Sequence, residues 1–122
     1  MPTEPQPLTV AELVRRAVEV VDPDGVHESA SQLLARFEDD DEPVIGALAF
    51  EDRLDSAREA VDPQDADPAA AMAVAVIRYL SFRRDEIEGR REDVLRLAAR
   101  AEFDGDPPAQ VADWLSDEGV VL

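Results

Sequence analysis

The feature of the sequence that most constrains the fold is a run of nine apolar residues, Ala69 to Ile77, directly after an Asp-Pro pair at 67 and 68. Aspartate can accept hydrogen bonds from the free N–H groups at a helix start, and proline has no N–H to leave unpaired at the first helical position. Since the run is apolar on every side, it predicts a helix that other elements surround. It is far shorter than the ~20 residues that a membrane span needs.

Apolar residues in the rest of the chain recur with a helical period. After Thr9, a predicted N-cap, they fall at Val10 and then three, four, seven, eight and eleven residues later, which is the pattern of one helix face. Comparable patterns occupy four further segments: 26–37, 44–61, 94–101 and 107–115. The inward-facing residues include Val26 and Ala101. We therefore predict an all-α fold of five or six helices with a core of Ala, Val and Leu.

Three similar turns divide the chain. Each places an aspartate after one helix and before the next, at Asp22, Asp62 and Asp104, which are spaced 40 and 42 residues apart. In the third turn, Asp106 is the predicted N-cap and Pro107 the predicted first residue of the last helix. A period near 40 is typical of stacked helical hairpins. The helices are therefore expected to form about three antiparallel hairpins.

The sequences of two of these turns carry a family resemblance. The stretches "VDPDGVHESASQLL" at 21–34 and "DPPAQVADWL" at 106–115 each combine a helix stop with a capped helix start and small apolar residues. Both resemble the turns between the helices of HEAT-type repeats, and this resemblance implies a short stack of hairpins. A compact bundle of six helices whose loops favour Asp-Pro explains the same residues. The two architectures stand as alternatives.

The chain is expected to hold one domain. Residues 1–7 contain three prolines and are predicted to be a disordered lead-in, and residues 8–122 are predicted to be a single all-helical domain. The N-terminus lacks the basic and apolar regions of a signal peptide. The chain has no cysteine, which excludes disulfides and cysteine nucleophiles and agrees with a reducing compartment. We therefore expect a cytoplasmic protein.

The formal net charge of −17 limits the classes of partner. Phosphate backbones and anionic lipids repel such a chain, so direct binding of nucleic acids or membranes is not expected. The five consecutive acids Glu38–Glu42 are expected to form a solvated loop. All twelve basic residues are arginine, which indicates a prokaryotic host with a GC-rich genome or high internal salt but identifies no partner.

No set of residues predicts a catalytic, cofactor or metal site. Loops that start at Asp22, Asp62 or Asp104 lack the ligand spacing of a calcium-binding EF-hand. The single histidine, His27, shares one helical turn with Ser29, which excludes the geometry of a catalytic triad. The five glycines are scattered and form no phosphate-binding loop. We therefore predict a non-enzymatic protein without a metal or cofactor, whose aspartates cap helices.

Five residues are candidates for binding a partner: Arg83, Arg84, Arg90, Arg91 and Trp114. The four guanidinium groups could hold an acidic partner through paired hydrogen bonds. Acidic residues between 85 and 93 lie within reach of the same arginines, which could instead form an internal salt-bridge network. Trp114, the only tryptophan, is either a core residue or part of an interface.

The function that remains is protein binding. We predict a protein–protein interaction or adaptor module whose partner is another protein or a second copy of the chain. An alternative is an acidic inhibitor or antitoxin-like protein that mimics nucleic acid, and this requires carboxylates arrayed on one face. A third, less favoured alternative is a small helical enzyme with paired carboxylates in a deep pocket.

Overall fold

The computed structural model describes residues 8–44 and 49–122, which fold into six α-helices and a short 3₁₀ turn at Arg84–Glu86. The helices are α1 (Val10–Val21), α2 (Glu28–Ala35), α3 (Phe50–Val61), α4 (Pro68–Phe82), α5 (Arg91–Phe103) and α6 (Ala109–Asp117). These residues form no strand, only an isolated bridge between Thr9 and Pro43, so the predicted all-α fold is confirmed. The lead-in predicted at 1–7 and residues 45–48 of the predicted third helix lie outside the described residues.

Helix α4 is the centre of the fold. All nine residues from Ala69 to Ile77 are buried, as the apolar run predicts. The helix packs most extensively against α1 and α5 and also contacts α2, α3 and α6. Its alanines let these neighbours approach closely, because the distance between packed helices depends on side-chain size. Its N-terminus forms as predicted: Pro68 is the first helical residue, and Asp67 Oδ1 accepts a hydrogen bond from the N–H of Ala69 at 2.9 Å.

The contacts between helices are those of a compact bundle. In a linear stack, the first and third helical pairs would be separated by the second pair. Here α1, from the first pair, contacts both α4 and α5, and α6 packs on α4. Of the two predicted architectures, the compact bundle therefore describes the packing.

The turn between α1 and α2 is held by one aspartate. Asp22 follows the last residue of α1, and its carboxylate accepts hydrogen bonds from the N–H groups of Val26 and His27, both at 2.9 Å. Gly25 takes a left-handed φ of 67°, and its N–H donates to the carbonyl of Asp22. Since Asp22 is only 6 % exposed, its carboxylate satisfies N–H groups at a site that water barely reaches.

The turn between α3 and α4 repeats this geometry. Asp62 has backbone angles of −138° and 70°, against −134° and 68° at Asp22. Its carboxylate accepts from the N–H groups of Ala66 and Asp67 at 3.1 and 3.0 Å, and Asp65 takes the left-handed position. The helices before the two turns are both 12 residues long. The similarity predicted for these two turns is therefore present down to individual hydrogen bonds.

The third turn departs from the pattern, and the predicted start of the last helix is wrong. Asp104 takes a left-handed φ of 55°, and α6 begins at Ala109 rather than at Pro107, with no side-chain cap. The cause is the consecutive pair of prolines, because a residue that precedes proline disfavours helical angles. Pro107 would have to take helical angles to begin the helix, but it precedes Pro108, so the helix starts only after Pro108.

Two residues that the helical period places in the core are exposed. Val26 is 74 % exposed, since its N–H is held by Asp22 in the turn before α2 begins. Ala101 is exposed near the end of α5 and lines a surface groove, whereas Ala99 is buried. Both inward predictions are wrong. The apolar period includes these positions, but Val26 precedes the first residue of α2 and Ala101 faces an open groove rather than the core.

The acidic run Glu38–Glu42 is mostly exposed, and its backbone also supports α1. The carbonyl of Glu42 accepts a hydrogen bond from the N–H of Val10 at 2.9 Å, at the start of α1. Asp40 forms an ion pair with Arg53 of α3. The run therefore satisfies a free N–H group of one helix while it contacts another helix.

Candidate functional site

Three of the candidate arginines lie on the surface around the end of α4. Arg83 Nη2 pairs with Asp85 Oδ2 at 3.2 Å and with Glu86 Oε1 at 3.5 Å. The hydrogen bond between Arg83 and Asp85 lowers the pKa of the carboxyl and raises the pKa of the guanidinium relative to their usual values. Arg84 and Arg90 are exposed, and no carboxylate in the described part of the chain pairs with them. The internal salt-bridge network therefore includes Arg83, whereas Arg84 and Arg90 remain accessible.

Arg91 points into the bundle. Its Nε donates to the carbonyl of Val20 at 2.7 Å, and its Nη2 donates to the carbonyl of Val21 at 3.4 Å and to Glu118 Oε2 at 3.2 Å. The carbonyls at the end of a helix lack partners within the helix and favour a nearby cation. Arg91 therefore joins the start of α5 to the end of α1, and its hydrogen-bonding groups are directed at the chain itself.

Trp114 lies in the hydrophobic core. It is buried on α6, and its ring contacts His27 edge to face, with ring centroids 6.5 Å apart. Its indole Nε1 is buried and has no hydrogen-bond partner among the described residues. The core interpretation of Trp114 therefore describes its place in the fold, and its role in an interface stays a prediction.

A surface groove lies between the C-terminal parts of α4 and α5; we call it the α4–α5 groove. Its volume is about 340 Å³, within the range of roughly 300–1,000 Å³ that is usual for ligand pockets. Its lining comes mainly from six residues: Ala75, Arg78, Tyr79, Phe82, Ala101 and Glu102. Arg83 completes one end. The lining combines aromatic rings and alanine methyl groups with three charged residues, of which Arg78 and Glu102 are hydrogen-bonded to each other.

Phe82 gives the groove its most unusual property. The side chain is 80 % exposed although it ends the most buried helix of the bundle. Large aromatic rings are the residues that contribute most to protein interfaces when they become buried. Tyr79, one turn earlier, is half-buried; burial and the nearby Glu86 raise the pKa of its hydroxyl above the usual value, so it is a hydrogen-bond donor at neutral pH. The groove therefore offers two aromatic rings and one hydroxyl.

Arg78, which lines the groove, links three helices. Its Nε lies 3.0 Å from Glu51 Oε2, its Nη2 lies 2.6 Å from Asp55 Oδ1, and its Nη1 lies 2.7 Å from Glu102 Oε2. Burial alone would lower the pKa of Arg78, but its hydrogen bonds to Glu51 and Glu102 outweigh this and raise the pKa. The guanidinium thus joins α3, α4 and α5, with a carboxylate facing each of its nitrogens.

Substitution of Arg78 tests whether its ion pairs with α3 and α5 stabilise the fold around the groove. Replacing Arg78 by methionine is expected to lower the free energy of unfolding by about 1–3 kcal/mol, between the values typical of exposed and buried ion pairs. Arg78→Lys should retain part of the stabilisation that Arg78→Met removes. Lysine keeps the positive charge but lacks the planar guanidinium that can donate hydrogen bonds to three carboxylates at once.

Urea denaturation followed by circular dichroism measures these differences. Arg58→Met is the matched control, since the one carboxylate that pairs with Arg58 in the described ranges is that of Asp65, in the turn that follows its own helix. A loss for Arg78→Met no larger than that for Arg58→Met would contradict the three-helix link.

Phe82 was not among the residues that the sequence singled out. The continuous burial from Ala69 to Ile77 hides the helical period of α4, so the exposed face cannot be assigned from that stretch. A signal does exist further on. Leu80 continues the buried side, and a residue two positions later is rotated by about 200° around the helix, onto the opposite side. This places Phe82 on the surface.

In comparisons with known proteins, no family model, curated protein or solved structure matches the chain. The resemblance of its turns to HEAT-type repeats therefore stays a prediction.

Within residues 8–44 and 49–122, no three histidine, aspartate or glutamate side chains are placed to hold a metal ion. In the same ranges, every helix is too short or too polar to cross a membrane.

Proposed function

We propose that the chain is a non-enzymatic protein–protein interaction module and that the α4–α5 groove is its contact surface. The observation that carries this proposal is the exposure of Phe82 beside a concave, largely apolar surface. Water solvates such a ring poorly, and its burial against a partner would be favourable by about 1.5–3 kcal/mol. We include a cytoplasmic location in the proposal because the chain has no cysteine.

The rigidity of the groove supports the same function. Its lining comes from α4, the adjacent Arg83 and α5. The two helices pack extensively against each other, and Arg78 fixes both to α3. A preformed surface loses little conformational entropy when a partner binds. The α4–α5 groove is therefore suited to bind a partner without rearrangement.

The catalytic alternative receives less support from the same residues. A carboxylate enzyme needs one acidic group free to donate or accept a proton at the reacting atoms. The three carboxylates that contact Arg78, those of Glu51, Asp55 and Glu102, all accept hydrogen bonds from it. Their arrangement is that of a structural ion-pair network.

The mimicry of nucleic acid also receives less support. It requires carboxylates concentrated on one face, as phosphates are along a strand. Exposed acids instead occur on five of the six helices, for example at Glu19, Glu28, Asp52, Glu92 and Asp113. We therefore retain protein binding through the α4–α5 groove as the proposed function.

The test of this function compares two exposed apolar residues. The full chain, Phe82→Ser and Val26→Ser are used as baits in native pull-downs with quantitative mass spectrometry. Both side chains are largely exposed, so neither change should disturb folding, and unchanged thermal unfolding verifies this. We expect a partner that the wild type and Val26→Ser retain and that Phe82→Ser loses. Equal retention by all three baits would contradict the proposed surface.

A further inference from the structure

We propose that the α4–α5 groove binds a basic amphipathic segment of another protein. One apolar side chain of this segment would lie in the groove beside Phe82, and its lysine or arginine residues would contact the carboxylates on the rim. This inference rests on the proposed function, because it assumes that the α4–α5 groove is the contact surface.

The inner part of the groove fits an apolar side chain. Ala75, Tyr79 and Phe82 line it from α4, and Ala75 is itself buried. The lining has three charged groups, and each of them is paired. Arg78 and Glu102 are hydrogen-bonded to each other at 2.9 and 2.7 Å, and Arg83 pairs with Asp85 and Glu86. A partner therefore meets no unpaired charge inside the groove, and an apolar side chain can enter without leaving a buried charge unsatisfied.

The rim of the groove carries an excess of negative charge. Arg78 and Arg83, which line the groove, are in contact with five carboxylates, so this ion-pair network has a net charge of −3. Glu51 and Asp55 stay 54 % and 63 % exposed, and each uses only one of its two oxygens to contact Arg78. The second oxygen of each carboxylate can therefore accept a hydrogen bond from a lysine or arginine of the partner.

The charge of the whole chain favours the same partner. A protein of net charge −17 attracts a basic segment at long range and accelerates its association. The same charge repels a second copy of the chain and an acidic protein. The candidate arginines do not reverse this, because Arg83 and Arg91 are held by the chain itself. Of the four candidates, only Arg84 and Arg90 lack a carboxylate partner among the described residues.

The experiment uses three labelled peptides of about 15 residues, roughly four helical turns. All three carry leucine at the same positions of one helix face. The other positions are lysine in the first peptide, glutamate in the second and glutamine in the third. Fluorescence anisotropy measures their binding to the full wild-type chain, to Phe82→Ser and to Val26→Ser.

We expect the lysine peptide to bind most tightly. Phe82→Ser should weaken its binding by about tenfold or more, the effect of losing an aromatic anchor, and Val26→Ser should leave it within about twofold. Binding should also weaken as salt is added, since the rim contacts are exposed ion pairs.

A pair of charge variants tests the rim directly. Replacing Glu51 by glutamine together with Asp55 by asparagine is expected to lower the affinity for the lysine peptide by about three- to tenfold. The affinity for the glutamine peptide should change little. The matched control, Glu59→Gln with Asp52→Asn, removes the same charge from the same helix but from side chains that do not contact Arg78. It should have less than about twofold effect.

The other outcomes separate this inference from the proposed function. If the glutamine or glutamate peptide binds at least as tightly as the lysine peptide and depends on Phe82, the groove is a contact surface but its partner is not basic, and the inference is overturned. If the lysine peptide binds equally to Phe82→Ser and Val26→Ser, the attraction is non-specific and both claims fail. No binding by the lysine peptide also overturns the inference.

Discussion

Replacing Leu80 by alanine is expected to lower the free energy of unfolding by about 2–5 kcal/mol, the range for a buried leucine whose cavity does not collapse. Leu80 is fully buried on α4, the helix that all five other helices contact. A cavity there removes packing from several neighbours at once, and little of the surrounding structure is free to close it. Urea denaturation followed by the fluorescence of Trp114, the only tryptophan, gives the difference directly.

The matched control for this substitution is Leu34→Ala. Leu34 is only half-buried on α2, so the same change removes fewer contacts and should cost about 1 kcal/mol. If the two variants lose equal stability, α4 is not the centre of the fold.

Replacing Asp22 by alanine is expected to cost about 2–4 kcal/mol. Its carboxylate accepts two hydrogen bonds from backbone N–H groups, each of the charge-assisted kind that contributes about 1.5–3 kcal/mol. Alanine leaves both N–H groups without an acceptor at a site that is almost fully buried. The same urea measurement applies, with a thermal melt as a second readout.

The second turn provides an internal control for this prediction. Asp62 makes the same pair of hydrogen bonds but is half-buried, so water can replace much of what Asp62→Ala removes. We expect a smaller loss of about 1–2 kcal/mol at this position. A loss for Asp62→Ala equal to or larger than that for Asp22→Ala would contradict the role that we assign to burial.

The central helix could be predicted from the sequence because its signals agree. Asp67 and Pro68 mark its start, and the uninterrupted apolar run allows no solvent-exposed side. The start of the last helix was predicted wrongly because two local signals disagree there. At Asp106 the capping residue and the double proline indicate different starting points, and the backbone restriction of proline prevails.

The candidate site was less predictable because burial of single side chains depends on tertiary packing. Arg91 and Arg90 are neighbours in the sequence, yet only Arg91 reaches the end of α1. Nothing in the local pattern distinguishes them, since the partner lies about 70 residues earlier in the chain. The exposure of Phe82 was not predicted for a different reason. The first part of its helix is apolar on every side, so the sequence pattern there does not distinguish a buried face from an exposed one.

The most direct test of the α4–α5 groove as the contact surface is a map of where the lysine peptide binds. Titration of the ¹⁵N-labelled full chain, followed by two-dimensional NMR, reports the amides whose environment changes. We expect the largest shifts at Tyr79, Phe82 and Ala101. Shifts centred on Arg84 and Arg90, or spread evenly over the acidic surface, would contradict the proposed groove.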